Sequence, residues 1–181
     1  MLMTLGHGTA SQDHLADLIR GASIAALVDV RTVPNSRRHP QFEREAMACW
    51  IPQSAAAEYR WERRLGGFRK TRPESPNVAL RNPSFRGYAD YMEGAEFNDA
   101  LAQLLADAKG VPTVVMCSES LWWRCHRRLI ADAAQLLHGV EVRHLMHDAT
   151  LRPHRPTAGV RVTPEGRLRY DVLFEEEVIE L

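Results

Sequence analysis

Apolar residues occur along the chain in two kinds of run, short stretches that are nearly unbroken and longer stretches with a helical repeat. Met1–Leu5, Ile24–Val30 and Pro112–Met116 belong to the first kind and predict strands covered on both faces. Val140–Leu145 predicts another strand, and Tyr59–Trp61 a weaker one. Of the second kind, Ser11 is placed to cap a helix over Gln12–Arg20, in which Leu15, Leu18 and Ile19 share a face. Helices are also predicted over Glu43–Trp50, Ser84–Met92, Ala95–Ala108 and from about Arg124 to Leu137. Val33–Phe42 and Gly66–Pro83 are polar and carry the glycines and prolines of irregular segments. Near the C-terminus, Val160–Val162 and Leu168–Val172 flank Thr163-Pro164-Glu165-Gly166 and predict a β-hairpin.

Strand and helix thus alternate repeatedly, with no linker and no internal repeat. The pattern predicts a single α/β domain over residues 1–181, three layers deep, with a mostly parallel sheet and Rossmann-like alternation. In such sheets ligands bind beyond the carboxyl ends of the strands. Four segments satisfy that rule: Gly6-His7-Gly8, Asp29-Val30-Arg31, Cys117-Ser118-Glu119 and His144 to Asp148.

Charge changes the picture at one place. The whole chain is neutral, with 23 Lys+Arg against 23 Asp+Glu, which excludes a uniformly basic coat and an acidic disordered chain. Only Lys70 and Lys109 are lysines; every other cation is an arginine, the side chain that grips phosphates and carboxylates with a planar fork. Between Arg31 and Arg86 the excess is +7, balanced by the rest of the chain, which includes Glu175, Glu176, Glu177 and Glu180 of an acidic tail. The segment Arg124-Cys125-His126-Arg127-Arg128 places three arginines at a predicted helix start. Cations there cost about 0.3–1 kcal/mol each, and a bound anion would remove the conflict.

The three cysteines, Cys49, Cys117 and Cys125, are too few and too irregular for a disulfide framework. No apolar run suits a membrane span or a signal segment, so a cytoplasmic setting is expected. Cysteine-dependent phosphatases and rhodaneses separate Cys from Arg by five residues; here six lie between Cys117 and Arg124, so that cradle does not fit. A metal site is not expected, because Cys117 and Cys125 lack the spacing of a close pair. Cys125 and His126, taken as adjacent on a helix, should also face different ways. No cofactor is favoured. Trp122-Trp123 can either stack on bases or anchor the loop to the core.

Several motifs occur together in order: Thr4-Leu5-Gly6-His7-Gly8, Asp29-Val30-Arg31, Ser36-Arg37-Arg38-His39-Pro40-Gln41-Phe42, Leu65-Gly66-Gly67 and Phe85-Arg86-Gly87-Tyr88-Ala89-Asp90-Tyr91. Cys117-Ser118-Glu119, Cys125-His126-Arg127, Val142-Arg143-His144 and Pro153-His154 follow. The set resembles domain of unknown function family 488, small prokaryotic α/β proteins, over about residues 4–157. The resemblance implies a fold and a shared pocket but no activity. Its characteristic residues fall on His7, Asp29, Arg31, Arg37, Arg38, Cys117, Glu119, Cys125, His126, Arg127 and His154.

The reading that follows is an enzyme with an anion pocket for a phosphate-bearing substrate, a nucleotide or nucleic acid. Arg31, Arg37, Arg38, Arg124 and Arg127 are the anion-binding candidates, with Cys125 and His154 beside them. Glu119, His7, Asp29, His126 and Cys117 are the catalytic candidates, Asp29 with the alternative role of orienting Arg31. Two competitors stay open, a non-catalytic nucleic-acid-binding module and a Cys/His metal or thiol redox protein.

Overall fold

The computed structural model describes residues 1–173 and shows a six-stranded sheet between two layers of helices. In chain order the elements are β1 (Leu2–Gly6), α1 (Gln12–Gly21), β2 (Ala26–Asp29), α2 (Arg44–Trp50) and β3 (Glu58–Trp61). They continue with α3 (Pro83–Tyr91), α4 (Ala95–Gly110), β4 (Thr113–Cys117), α5 (Arg127–Leu136), β5 (Val142–Leu145) and β6 (Leu151–Pro153). The sheet order is β3-β2-β4-β1-β5-β6, with every pair parallel except β5–β6. β7 (Val160–Val162) and β8 (Leu168–Tyr170) form the expected C-terminal hairpin. The acidic tail beyond it lies outside the described residues.

Alternation along the strands divides the core in two. Leu2, Val28 and Val115 point to one face, where they meet Leu101 and Leu104 of α4 and Leu129 and Ile130 of α5. Met3, Leu5, Leu27, Val114 and Met116 point to the other, under Leu15 and Ile19 of α1 and Met47 of α2. The central strands are buried at every position of β1 and β4, which is why they read as unbroken apolar runs. The edge strand β6 is exposed throughout and carries no such signal.

β4 is inserted between β1 and β2, and this creates the site. From β1 the chain leaves through α1, on one face, toward β2. From β4 it leaves through α5, on the opposite face, toward β5. The carboxyl ends of β1 and β4 therefore diverge and open a crevice between them, the switch point at which open α/β sheets take their ligands.

Candidate functional site

The ladder between β1 and β4 ends at Gly6 opposite Cys117 and continues through His7 N–H to Cys117 O and Gly8 N–H to Ser118 O, both 2.9 Å. The two glycines of Gly6-His7-Gly8 permit this approach. A Cβ on Gly6 would lie 1.9 Å from the Glu119 carbonyl oxygen. One on Gly8, at φ +54°, would lie 2.0 Å from Ser120 Oγ. His7 between them is buried and stacks on Phe42, with ring centroids 4.1 Å apart.

At the end of β2, Asp29 grips Arg31. The Arg31 Nε donates to Asp29 Oδ1 at 2.9 Å and its Nη2 to Oδ2 at 2.5 Å. Asp29 also accepts from the Arg31 amide at 3.1 Å and the Tyr59 hydroxyl at 2.8 Å. Burial and the neighbouring carboxylate push the Tyr59 phenol above its ordinary range, so it stays a donor. Arg31 Nη1 donates to His7 Nε2 at 3.3 Å, while His7 Nδ1–H donates to the Gly8 carbonyl at 2.9 Å. Burial, reinforced by the Arg31 charge, lowers the His7 pKa to about 4, which keeps the ring neutral. Asp29 and His7 thus act as the mount for Arg31.

On the other side of the crevice, α5 starts at Arg127, later than the expected Arg124. Trp122–Arg124 is a 3₁₀ turn, and Cys125 has extended backbone, φ −122° and ψ 147°, which the helix cannot include. Arg124 is accordingly off the helix and exposed, and no ion pair to it is seen among the described residues. Arg127, only 1% exposed, donates to the backbone carbonyls of Glu119 and Ser120 and ties down the loop after β4. Arg128 lies over the Phe85 ring at 4.3 Å and donates to the Trp123 carbonyl.

Because Cys125 and His126 both precede the helix, their side chains turn the same way. His126 Nδ1 lies 3.8 Å from Cys117 Sγ and 3.8 Å from Cys125 Sγ, which corrects the expectation that they diverge. The Cys117 thiol is held well below its usual range by a hydrogen bond from Cys125, with His126 and the Arg127 charge adding to it. Burial and the adjacent Cys117 push Cys125 up. His126 Nε2 donates to the Val30 carbonyl at 3.2 Å.

These groups line one cleft of about 360 Å³. It brings together His7, Arg31, Cys117, Glu119, Arg124, Cys125 and His126 of the residues singled out from the sequence. Glu119 accepts the Leu121 amide at 3.1 Å and faces the opening. Arg37 and Arg38 are exposed and lie outside the lining. His154 is not brought there either; it is buried behind the cleft, donating to Asp132 at 2.8 Å and meeting His144 at 3.0 Å. Trp122 stacks on His144 at 4.1 Å and 8°, the anchoring role of the two considered. Much of the local excess of arginine is paired: Arg60 and Arg64 with Glu62, Arg72 with Asp90 and Glu93.

The cleft also holds residues that the sequence reading missed. Phe68 is 89% exposed at its mouth with φ +58°, a left-handed conformation unusual for an aromatic residue. Gly67 packs on His126, where an added Cβ would lie 3.1 Å from Nδ1. The Gly-Gly pair at 66–67 was the available signal for a close approach.

A three-layer α/β domain with a ligand-sized cleft at the switch point of its parallel sheet is the class defined by this fold. The chain belongs to the family described as "Domain of unknown function DUF488", whose model matches residues 11–134. That span contains β2, β4 and the Cys117-to-Arg127 segment, and excludes His7 and His154. No curated protein and no solved structure matches the chain. Among the described residues no helix is long and apolar enough to cross a membrane.

Proposed function

We propose that this domain is an enzyme acting on a small phosphate-bearing substrate, a nucleotide or the end of a nucleic acid, held over Cys117 and His126. The observation that carries the reading is the pairing across the cleft of a fixed and a free arginine. Arg31 is locked by Asp29, His7 and the Trp61 indole, which donates to its carbonyl at 2.8 Å. It therefore presents its remaining Nη1 N–H without losing side-chain entropy on binding. Arg124 adds an uncompensated charge at the rim. Phe68 and Phe85 supply flat apolar surface for a base.

With Asp29 and His7 committed to positioning Arg31, Glu119 and His126 remain as proton-transfer groups. Cys117 lines the same cleft beside them. A neighbouring cleft shares Asn82 and Phe85 with the first and is lined by Trp122, Trp123, Arg128 and Arg155. Its aromatic and basic lining favours a substrate longer than one nucleotide.

Calorimetric titration with phosphate, nucleoside monophosphates and short oligonucleotides tests the proposal. A nucleotide should bind more tightly than its nucleoside, and Arg124→Ala should weaken binding roughly tenfold or more. Equal affinity for nucleoside and nucleotide would overturn the anion reading. A steep loss of oligonucleotide affinity with salt, undiminished in Arg124→Ala, would favour the non-catalytic binding module instead.

A further inference from the structure

We infer that Cys117, Cys125 and His126 form a preformed three-ligand site for a zinc ion whose fourth position opens into the cleft. This goes beyond the anion reading: with the ion bound His126 and Cys117 are ligands and Glu119 alone is left for proton transfer, while anion binding by Arg31 and Arg124 is tested separately.

The three ligand atoms lie within 4.8 Å of one another, with both sulfur-to-Nδ1 distances 3.8 Å. A tetrahedral zinc with bonds of about 2.3 Å to sulfur and 2.0–2.1 Å to nitrogen requires sulfur–nitrogen edges of about 3.6 Å. The two sulfur–nitrogen edges therefore need to shorten by only about 0.2 Å, and the sulfur–sulfur edge, within 4.8 Å, has to close toward about 3.8 Å. Two thiolates and an imidazole are a soft donor set that selects zinc over magnesium or calcium.

His126 is presented as a ligand in three ways. Its Nε2–H is taken by the Val30 carbonyl, which fixes the tautomer and leaves the Nδ1 lone pair toward the sulfurs. Tyr88 meets the ring edge-on at 5.0 Å, and the missing side chain of Gly67 leaves the Nδ1 edge clear.

Zinc with two thiolates is formally neutral. Arg127, buried and without a carboxylate partner among the described residues, lies outside the cleft lining, whereas Arg31 and Arg124 belong to it. An anionic oxygen or a hydroxide in the fourth position would share the cleft with those two arginines. Three protein ligands with one open position is the arrangement of catalytic rather than structural zinc.

The test uses the full chain, reduced and purified without a chelating column, titrated with Zn²⁺ and Co²⁺. One ion per chain should bind, and the Co²⁺ form should show thiolate charge-transfer bands and the intense visible absorption of a tetrahedral site. Cys117→Ser and Cys125→Ser should each weaken binding by at least about 100-fold, whereas Cys49→Ser, an exposed thiol remote from the cleft, should not change it. Bound Zn²⁺ should also slow alkylation of Cys117 and Cys125, and chelation should restore it. Absence of stoichiometric binding, or binding retained in the Cys117→Ser/Cys125→Ser double variant, overturns the inference. The thermal transition of each variant separates lost ligands from lost fold. Tight metal binding without nucleotide binding would defeat the anion reading alone, and the reverse result would defeat the zinc site alone.

Discussion

Asp29 holds Arg31 along the Nε–Nη2 edge of the guanidinium by two bonds, at 2.9 and 2.5 Å, with both side chains buried. Each member solves the other's desolvation problem, and the pair adds geometry to the cleft wall. Removing one member leaves an isolated buried charge. Asp29→Asn should therefore destabilise the fold by about 3–5 kcal/mol in urea denaturation. Tyr59→Phe, which removes one neutral donor, should cost about 1 kcal/mol. Equal losses in the two variants would contradict the assigned roles.

Acid should unfold the protein through two imidazoles kept neutral by burial. His7 has its pKa lowered to about 4 and His144 to about 3, against 6.5 in the unfolded chain. Above about pH 6.5 unfolding takes up no proton at either. From 6.5 down to about 4 the unfolded chain binds protons at both while the folded chain binds them at neither, so stability falls as pH falls. Between about 4 and 3 only His144 contributes. Each imidazole adds a slope approaching 1.4 kcal/mol per pH unit. Denaturant midpoints should hold from pH 7.5 to about 6.5 and fall from there to 4.5, and His144→Gln should remove one of the two proton equivalents. Parallel slopes in parent and variant would show that His144 is not the titrating group.

Three glycines should respond oppositely to the same substitution. Gly6→Ala drives a methyl into the Glu119 carbonyl and should abolish folding or lower the melting temperature severely. Gly67→Ala presses on His126 at 3.1 Å and should weaken metal affinity more than stability. Gly110, at the end of α4 with nothing within 4 Å of an added methyl, should accept Ala with a gain of about 0.4–1 kcal/mol. Thermal melts of the three variants check the order.

Phe68 combines 89% exposure with φ +58°, so its side chain adds little to the folded core while its backbone is strained. Phe68→Gly should raise stability by up to about 1 kcal/mol and weaken nucleotide binding by about 1–3 kcal/mol, the value of a base–aromatic contact. A variant that loses stability and keeps affinity would remove Phe68 from the site.

The central strands were legible because burial on both faces leaves an unbroken apolar signature, as in β1 and β4. β6 was not, since Leu151–Pro153 is exposed along its length and includes a proline. The strand-end rule located the cleft from Gly6-His7-Gly8 and Cys117-Ser118-Glu119 before any contact was known. The start of α5 was misread for a local reason. Arg124 to Arg128 contains no Ser, Thr, Asp or Asn to mark an N-cap, and the boundary is set by the extended backbone of Cys125. That one error of register separated Cys125 from His126 on paper and hid their convergence on Cys117. Gly67 was marked only by the Gly-Gly pair, and Phe68 carried no signal, because its role depends on what lies across the cleft from it.

The placement of β4 also sets when the site can come into being. Gly6 and Cys117 are ladder partners, yet most of the chain is synthesised between them. During translation β1 and β2 emerge first, each waiting for the same missing neighbour and each offering an open edge to other nascent chains. Both cysteines of the cleft arrive with β4 and the segment before α5, within the last two fifths of the polypeptide. A chain stalled before β4 would carry Arg31 and its mount but neither Cys117 nor Cys125 across from it.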